Sequence, residues 1–429
     1  QGALIDERNL KSEDINNSPI SVEDESMSIV VEELCKAERP VLIAGHGIRI
    51  SKAKEQFLEL VDLLGIPVVT TFNGFDLIAS NSDNFIGRIG TLGSRAGNFA
   101  LQNADLVICL GTRNNIRQVS YNWTSFARYA KRIIIDIDEA ELHKKTVKGD
   151  ILIHSDAKVF ITKLLGSIPE DFSVAKSWLK WCIARKEKYP VVLDEYKTPN
   201  DHYVHPYSFI EKLTDVLDEN AVLVAGNGTA CVVLFQAGIV KDRQRIFWNS
   251  GCAAMGYALP AAIGAALAEN KDVVCITGDG SIQMNLQELQ TVKQNNLSVK
   301  IFILNNQGYR SIEQTQAAFF NSDFIGCNEE TGVSFPDNSK LADLYGLKYF
   351  RIGSTARMDQ VIDSALSYKG ALICEVILNN NYIFSPKLSS EKKPDGRLIS
   401  KPLEDLYPFL ERDEFSSNMI VRDMDENGA

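Results

Sequence analysis

No apolar run in the 429-residue sequence approaches the ~18–20 residues that a membrane-crossing helix needs, which argues against a membrane span. Positive charge is in deficit. Lys and Arg number 45 against 56 Asp and Glu, and the net charge of −11 disfavours a nucleic-acid-binding surface. The 8 cysteines contain no Cys-x-x-Cys pair, and Cys109, Cys275 and Cys374 sit inside apolar, strand-like runs. They read as buried thiols of a reducing compartment, with a cytoplasmic location expected, rather than as a disulfide framework or zinc site. Histidine is scarce, and His46, His143 and His154 lack metal-ligand spacing, so surface or capping roles are expected for them. The chain opens Gln1-Gly2-Ala3-Leu4, with no signal-peptide pattern. What is present is 45% hydrophobic residues, enough for sizeable cores, over a length that implies more than one domain.

The densest chemistry lies between residues 277 and 309. An apolar, β-rich run (272–277) ends at Gly278-Asp279-Gly280-Ser281. Leu286, Leu289 and Val292 then recur every three positions, which predicts a helix over 284–293. A second apolar run (299–304) ends at Asn305-Asn306-Gln307-Gly308-Tyr309. The order strand, Gly-rich turn, helix, strand, turn is a βαβ unit, and open α/β sheets bind ligands at the carboxyl ends of their strands. Mg²⁺ takes hard oxygen ligands and usually shares its shell with phosphates. Asp279 offers a carboxylate, Asn306 an amide oxygen and Gly308 a carbonyl. Gly280 allows close backbone approach and opens a helix whose N–H groups face an anion. A helix end alone stabilises a surface charge by only about 0.3–1 kcal/mol, so a diphosphate needs the cation as well. The competing reading is an ordinary βαβ turn, with Asp279 as a helix cap. The pairing of the two turns favours the site.

Gly278-Asp279-Gly280 followed by Asn305-Asn306 resembles the signature of thiamine diphosphate enzymes, and within them the chain resembles the acetolactate synthase-like group. The resemblance implies an α/β fold of two doubly wound parallel-sheet domains. These would be a Rossmann-like middle domain over 28–166 and a diphosphate- and Mg²⁺-binding domain over 206–385. A linker (1–27), a connecting helix and linker (167–205) and a C-terminal tail (386–429) would complete the chain. The cofactor is expected on Gly228, Thr229, Ala230, Gly278, Asp279, Gly280, Ser281, Asn306, Gly308 and Tyr309, with Mg²⁺ on Asp279, Asn306 and Gly308. In the segment Asn249-Ser250-Gly251-Cys252-Ala253-Ala254-Met255-Gly256, the residue aligned with Met255 wedges under thiamine diphosphate and bends it. The carbonyl aligned with Ala253 accepts a bond from the aminopyrimidine. Met255 and Ala253 are therefore the catalytic candidates in this chain. Met is apolar and adaptable, as a wedge requires.

The implied reaction is decarboxylation of a 2-oxo acid, with pyruvate expected, and transfer of the two-carbon unit to a carbonyl acceptor. In the resembled family the activating glutamate lies in a pyrimidine-binding domain, usually of the partner subunit in a homodimer or homotetramer. That domain is read as missing from this chain, which alone should bind cofactor weakly and turn over poorly. Two other readings stay open: acetyl transfer to a keto-sugar in polysaccharide synthesis, and a non-catalytic cofactor-binding module. A nicotinamide dehydrogenase would need more than Gly45-His46-Gly47, a weak dinucleotide signal.

The middle domain of the resembled family often holds FAD, and Gly90, Thr91, Gly111, Arg113, Asp136 and Asp156 occupy matching positions. Acidic residues that usually follow are replaced here by Asn114-Asn115-Ile116-Arg117, so FAD and an empty structural domain both remain open. The glycines at 87, 90, 93 and 97 imply close approach to a ligand or to another backbone. Further expectations are a charged helix over 30–37, a connecting helix over 173–189 whose Trp178 and Trp181 serve packing, and a helix after Tyr309 with Gln314, Gln316 or Phe319 facing substrate. The strand over 371–377 is expected to complete the second sheet. The segment Lys401-Pro402-Leu403-Glu404-Asp405 either folds over the site's mouth or is solvated.

Overall fold

The computed structural model describes residues 20–174, 176–392 and 398–421; the first 19 residues of the expected linker, with Glu13 and Asp14, and the tail segments 393–397 and 422–429 lie outside the described residues. The chain is α/β and contains two six-stranded sheets, each all-parallel.

The first sheet contains β1 (Pro40–Ala44), β2 (Val68–Thr70), β3 (Phe85–Arg88), β4 (Leu106–Leu110), β5 (Lys131–Asp136) and β6 (Ile151–His154). Their order is β3-β2-β1-β4-β5-β6, the doubly wound dinucleotide-fold order. Every residue of β1, β2 and β4 is buried, as helices on both faces of a parallel sheet demand. The connecting helix Lys176–Lys188 closes one face: Trp178 is buried, stacks on Trp181 and donates its indole N–H to the Pro40 carbonyl at 3.0 Å. At the other end, the helix Asp24–Lys36 starts earlier than its apolar spacing suggests. The acidic residues Asp24 and Glu25 occupy its first turn, where the positive end of the helix dipole favours them.

The second sheet contains β7 (Val222–Ala225), β8 (Arg245–Trp248), β9 (Val273–Gly278), β10 (Val299–Asn305), β11 (Lys348–Ile352) and β12 (Leu372–Ile377), in the order β11-β12-β10-β9-β7-β8. β12 is the last strand of this sheet in chain order, but it is not the sheet's edge. The half-exposed β11, Lys348-Tyr349-Phe350-Arg351-Ile352, forms the edge beyond it. Its mixed polarity suits an edge and hides it from an apolar-run search. The single helix expected over 284–293 is broken into Asp279–Ile282, a 3₁₀ turn Gln283–Asn285 and Glu288–Gln294. The break follows from side chains working elsewhere. Ser281 Oγ accepts the Gly256 amide at 3.0 Å, and Asn285 Nδ2 donates to the Gly256 carbonyl at 2.9 Å.

The tail returns to the first sheet. Leu403, Glu404 and Asp405 are buried against the helix Arg95–Asn103, so residues 401–405 neither cover the cleft nor stay in solvent. Asn98 Nδ2 donates to the Leu403 carbonyl at 2.8 Å, and Gln102 Nε2 to Glu404 at 2.7 Å. This helix has buried polar residues at Asn98, Gln102 and Asn103, and the tail supplies partners to each of them.

Candidate functional site

In the second sheet the chain passes from β8 back across β7 to β9, so the strand order reverses between β7 and β9. Ligands of doubly wound sheets bind outside the carboxyl ends at such a point. The register sets Ala225 beside Ile276 and Gly278 beside Leu304. The turns after β7, β9 and β10 therefore lie side by side. They bound a cavity of about 430 Å³ lined by Gly228, Thr229, Gly278, Asp279, Gly280, Ser281, Asn306, Gly308 and Tyr309.

Asp279 is buried at its floor. One carboxylate oxygen accepts the Gly280 amide at 2.8 Å, and the other accepts the amides of Asn306 at 3.0 Å and Gln307 at 2.7 Å. Burial pushes its pKa up to about 6, against the downward pull of these amides. Asn306 donates its side-chain nitrogen to Tyr382 Oη at 3.0 Å, which leaves Oδ1 buried and without a partner. A buried acceptor left unpaired costs roughly 1–3 kcal/mol. A desolvated carboxylate beside an orphaned amide oxygen is a donor set that fits a hard divalent cation. Gly280 is required by close approach: a Cβ there would stand 2.3 Å from the Tyr309 ring. At Gly308 a Cβ would stand 2.4 Å from the Cys327 carbonyl.

Gly228 (φ +60°) opens the helix Thr229–Ala237, whose first turn points at the cavity. The Thr229 hydroxyl is 2.5 Å from Tyr382 Oη. Ala230 faces the hydrophobic core and does not line the cavity. Ala253 and Met255 do line it. Ala253 has φ +51°, a left-handed conformation that costs a residue with a Cβ about 1–2 kcal/mol. Strain of this kind is found at ligand sites.

Two parts of the wall carry no motif. Leu92 and Arg117 reach in from the first sheet's domain, and Phe384 and Lys387 from the start of the tail. Thr91 joins them: its amide donates to the Arg117 carbonyl at 2.8 Å, and its carbonyl accepts the Leu388 amide at 2.7 Å. Gln314 and Phe319 line the cavity from the helix Arg310–Phe319, whereas Gln316 turns away to bond both backbone groups of Ile325. Tyr382 follows β12 in an Asn-rich turn, with nothing in the sequence to mark it.

The six positions matched to FAD do not converge. Arg113 lines a separate cavity of about 190 Å³ and pairs with Glu141 at 3.4 Å. Asp156 caps the helix Ala157–Leu165, and Asp136 accepts the Asp138 amide at 3.0 Å. Gly90 and Thr91 give their amides to Asn98 and Arg117. Gly111 meets the Gly45–Gly47 turn directly, since a Cβ on Gly45 would lie 2.2 Å from the Gly111 carbonyl oxygen. That contact closes the first sheet's own switch point. The polar groups at these positions are thus engaged within the protein.

The fold and site together define an α/β protein with a ligand cleft at the switch point of its second sheet. Residues 27–164 match the thiamine pyrophosphate enzyme central domain, and residues 226–376 match the C-terminal TPP-binding domain. The chain belongs to the thiamine pyrophosphate enzyme family. It is 32% identical over 380 residues to the acetolactate synthase large subunit of Cyanidium caldarium, covering 86% of this chain and 63% of that protein. It is 33% identical over 332 residues to that of Lactococcus lactis (77% and 56%) and 30% over 392 residues to a probable one of Methanococcus aeolicus (87% and 63%). The chain thus spans about three fifths of the length of the curated relatives it matches. Among the described residues no helix is long and apolar enough to cross a membrane.

Proposed function

We propose that this chain is the cofactor-holding part of a thiamine diphosphate- and Mg²⁺-dependent carboligase that decarboxylates a 2-oxo acid, pyruvate by preference, and transfers the two-carbon unit to a carbonyl acceptor. The observation that carries this reading is the orphaned Asn306 Oδ1 and the buried Asp279 carboxylate in one cleft, lined also by the turns at Gly228, Thr229 and Ser281.

Asp279, Asn306 Oδ1 and the Gly308 carbonyl would hold Mg²⁺, and the turn amides would hold the diphosphate. Thiamine diphosphate, when bound, supplies a nucleophilic carbon and an electron sink for decarboxylation. The chain's own residues bind and orient. Met255 presents an apolar wedge, and Ala253 presents its carbonyl from a strained turn. Arg117 and Lys387 line the wall with no carboxylate partner among the described residues, and burial lowers the Lys387 pKa. Such cations suit an acceptor that carries a carboxylate, as an acetolactate synthase-like reaction requires. Phe319 and Phe384 add apolar surface to the same wall. A pyrimidine-binding domain of a partner subunit, in a homodimer or homotetramer, would supply the activating acid.

The test is calorimetric titration of thiamine diphosphate with Mg²⁺ into the full-length protein and its Asp279→Ala variant, with carbon dioxide release from pyruvate followed in the same samples. Binding and release by wild type alone support the reading. Binding without release points to a non-catalytic module, and no binding returns 278–306 to an ordinary βαβ turn.

A further inference from the structure

We propose that Tyr382 is a positioning residue for the metal: its hydroxyl fixes the orientation of the Asn306 amide, and its carbonyl ties that ligand to the helix above the cleft. The inference rests on the reading of Asn306 as a cation ligand.

An asparagine amide is ambivalent, since one end donates and the other accepts. Turned one way, Asn306 offers a cation an oxygen. Turned the other, it offers two N–H groups and repels it. The Asn306 backbone does not choose between them, because Asp279 holds only its main-chain amide. Tyr382 Oη makes the choice by accepting Asn306 Nδ2 at 3.0 Å. A phenol can also donate, and then it would hold the flipped amide just as well. Thr229 offers the phenolic proton another acceptor. Its Oγ1 lies 2.5 Å from Tyr382 Oη and can take the phenolic proton, which leaves the phenol lone pairs for Asn306. The relay Thr229, Tyr382, Asn306 thus turns Oδ1 away from Tyr382, buried and unpartnered, on a residue that lines the cavity. Tyr382 itself is buried, which shields the relay from exchange of its bonds with water.

The same residue reaches the helix Arg310–Phe319. The Tyr382 carbonyl accepts Arg310 Nη2 and Gln314 Nε2, each at 3.3 Å, and the Arg310 guanidinium lies 5.8 Å from the ring centre. Arg310 and Gln314 both line the cleft. One buried residue, through its hydroxyl and its carbonyl, therefore connects the start of the helix after β7, the loop after β10 and the helix Arg310–Phe319.

Tyr382→Phe removes the hydroxyl and keeps the ring against His205 and Phe384 and the carbonyl against Arg310. The measurement is Mg²⁺ binding to the full-length protein by calorimetry, with and without thiamine diphosphate, beside Asn306→Ala and the double variant. Loss of an outer partner of a metal ligand typically weakens metal affinity about 10–100-fold. That loss is expected for Tyr382→Phe with the thermal midpoint near wild type, and no further loss when it is added to Asn306→Ala. Thr229→Val should weaken binding in the same direction by a smaller factor. The EPR spectrum of bound Mn²⁺ should change in Tyr382→Phe, which a purely structural role would leave alone. Wild-type Mg²⁺ affinity in Tyr382→Phe, with Asn306→Ala impaired, overturns the proposal and leaves the metal site standing. Wild-type affinity in Asn306→Ala overturns the metal reading beneath it.

Discussion

Asp279 Oδ2 lies 3.0 Å from the Asn306 amide and 2.7 Å from the Gln307 amide, so one oxygen of a β9-end carboxylate shapes the turn after β10. These bonds join the two turns directly to one another. The carboxylate that does this is kept out of water at a cost, and that cost sets a pH dependence.

Asp279 has a folded pKa pushed up to about 6 from an ordinary 3.8. The folded, metal-free chain therefore binds this proton more tightly than the unfolded chain does. Its stability should fall as pH rises from about 4 to about 6, by roughly 3 kcal/mol from this group. Mg²⁺ competes with the same proton, so its affinity should drop about tenfold per pH unit below about 6. Urea unfolding at the two ends of this window, with and without Mg²⁺, checks both effects. Asp279→Asn should flatten the profile and abolish the stabilisation by Mg²⁺.

Gly280→Ala should act through Tyr309. The added Cβ would lie 2.3 Å from Tyr309 Cε1 and 3.0 Å from Phe335 Cζ, and neither ring can retreat without losing the other. Overpacking of this kind costs about 1–3 kcal/mol. The thermal midpoint should fall, and calorimetry should show weakened thiamine diphosphate binding as well, because Tyr309 lines the same cleft.

Met255→Ala separates holding the cofactor from using it. Met255 lines the cavity from the turn before Gly256 and offers it an apolar side chain with no oxygen for the cation or the diphosphate. Diphosphate and Mg²⁺ binding should stay near wild type. Carbon dioxide release from pyruvate by the full-length protein should fall by about tenfold or more, since interactions that act on reactive geometry appear in kcat. Equal losses in both would place Met255 in binding instead.

The legible part of this protein was where chemistry coincides with chain order. The strands β1, β4, β9 and β10 are uniform apolar runs that end in Gly, Asp or Asn, and a sequence search finds them. The Gly278–Ser281 and Asn305–Tyr309 turns are found by the same rule. β11 escaped because an edge strand can be polar on alternate residues. Tyr382, Arg117 and Lys387 escaped for another reason. Tyr382 meets Asn306 and Thr229 from the segment after β12, Lys387 and Arg117 line the cleft from that segment and from the first sheet's domain, and only packing onto Thr91 brings the last two together. The break in the helix after Ser281 was hidden because its cause, the Gly256 peptide, lies 25 residues upstream.

No bound flavin is expected in the middle domain. The Gly45 to Gly111 contact fills the first switch point, the amides of Gly90 and Thr91 are spent on Asn98 and Arg117, and Asp156 caps a helix. Protein purified without added cofactor should show no visible flavin band, and heat-released supernatant no flavin fluorescence. Stoichiometric flavin in either measurement would show that the Gly87–Gly97 loop opens to admit it.

The tail's contribution is to stability, and the pair Arg128–Glu404 carries the test. Their charged atoms are 2.6 Å apart, with side chains 7% and 1% exposed, and Glu404 also accepts Gln102 Nε2 at 2.7 Å. Removing one partner of a buried ion pair leaves the other charge stranded and typically costs about 3–5 kcal/mol. Glu404→Ala should therefore lower stability by that order. Glu404→Gln keeps the volume and one acceptor for Gln102, and should cost less. Because residues 401–405 lie against the helix Arg95–Asn103 and none of them lines the cleft, Mg²⁺ affinity of the folded Glu404→Gln protein should match wild type. A large affinity change with little loss of stability would instead assign the tail to the mouth of the site.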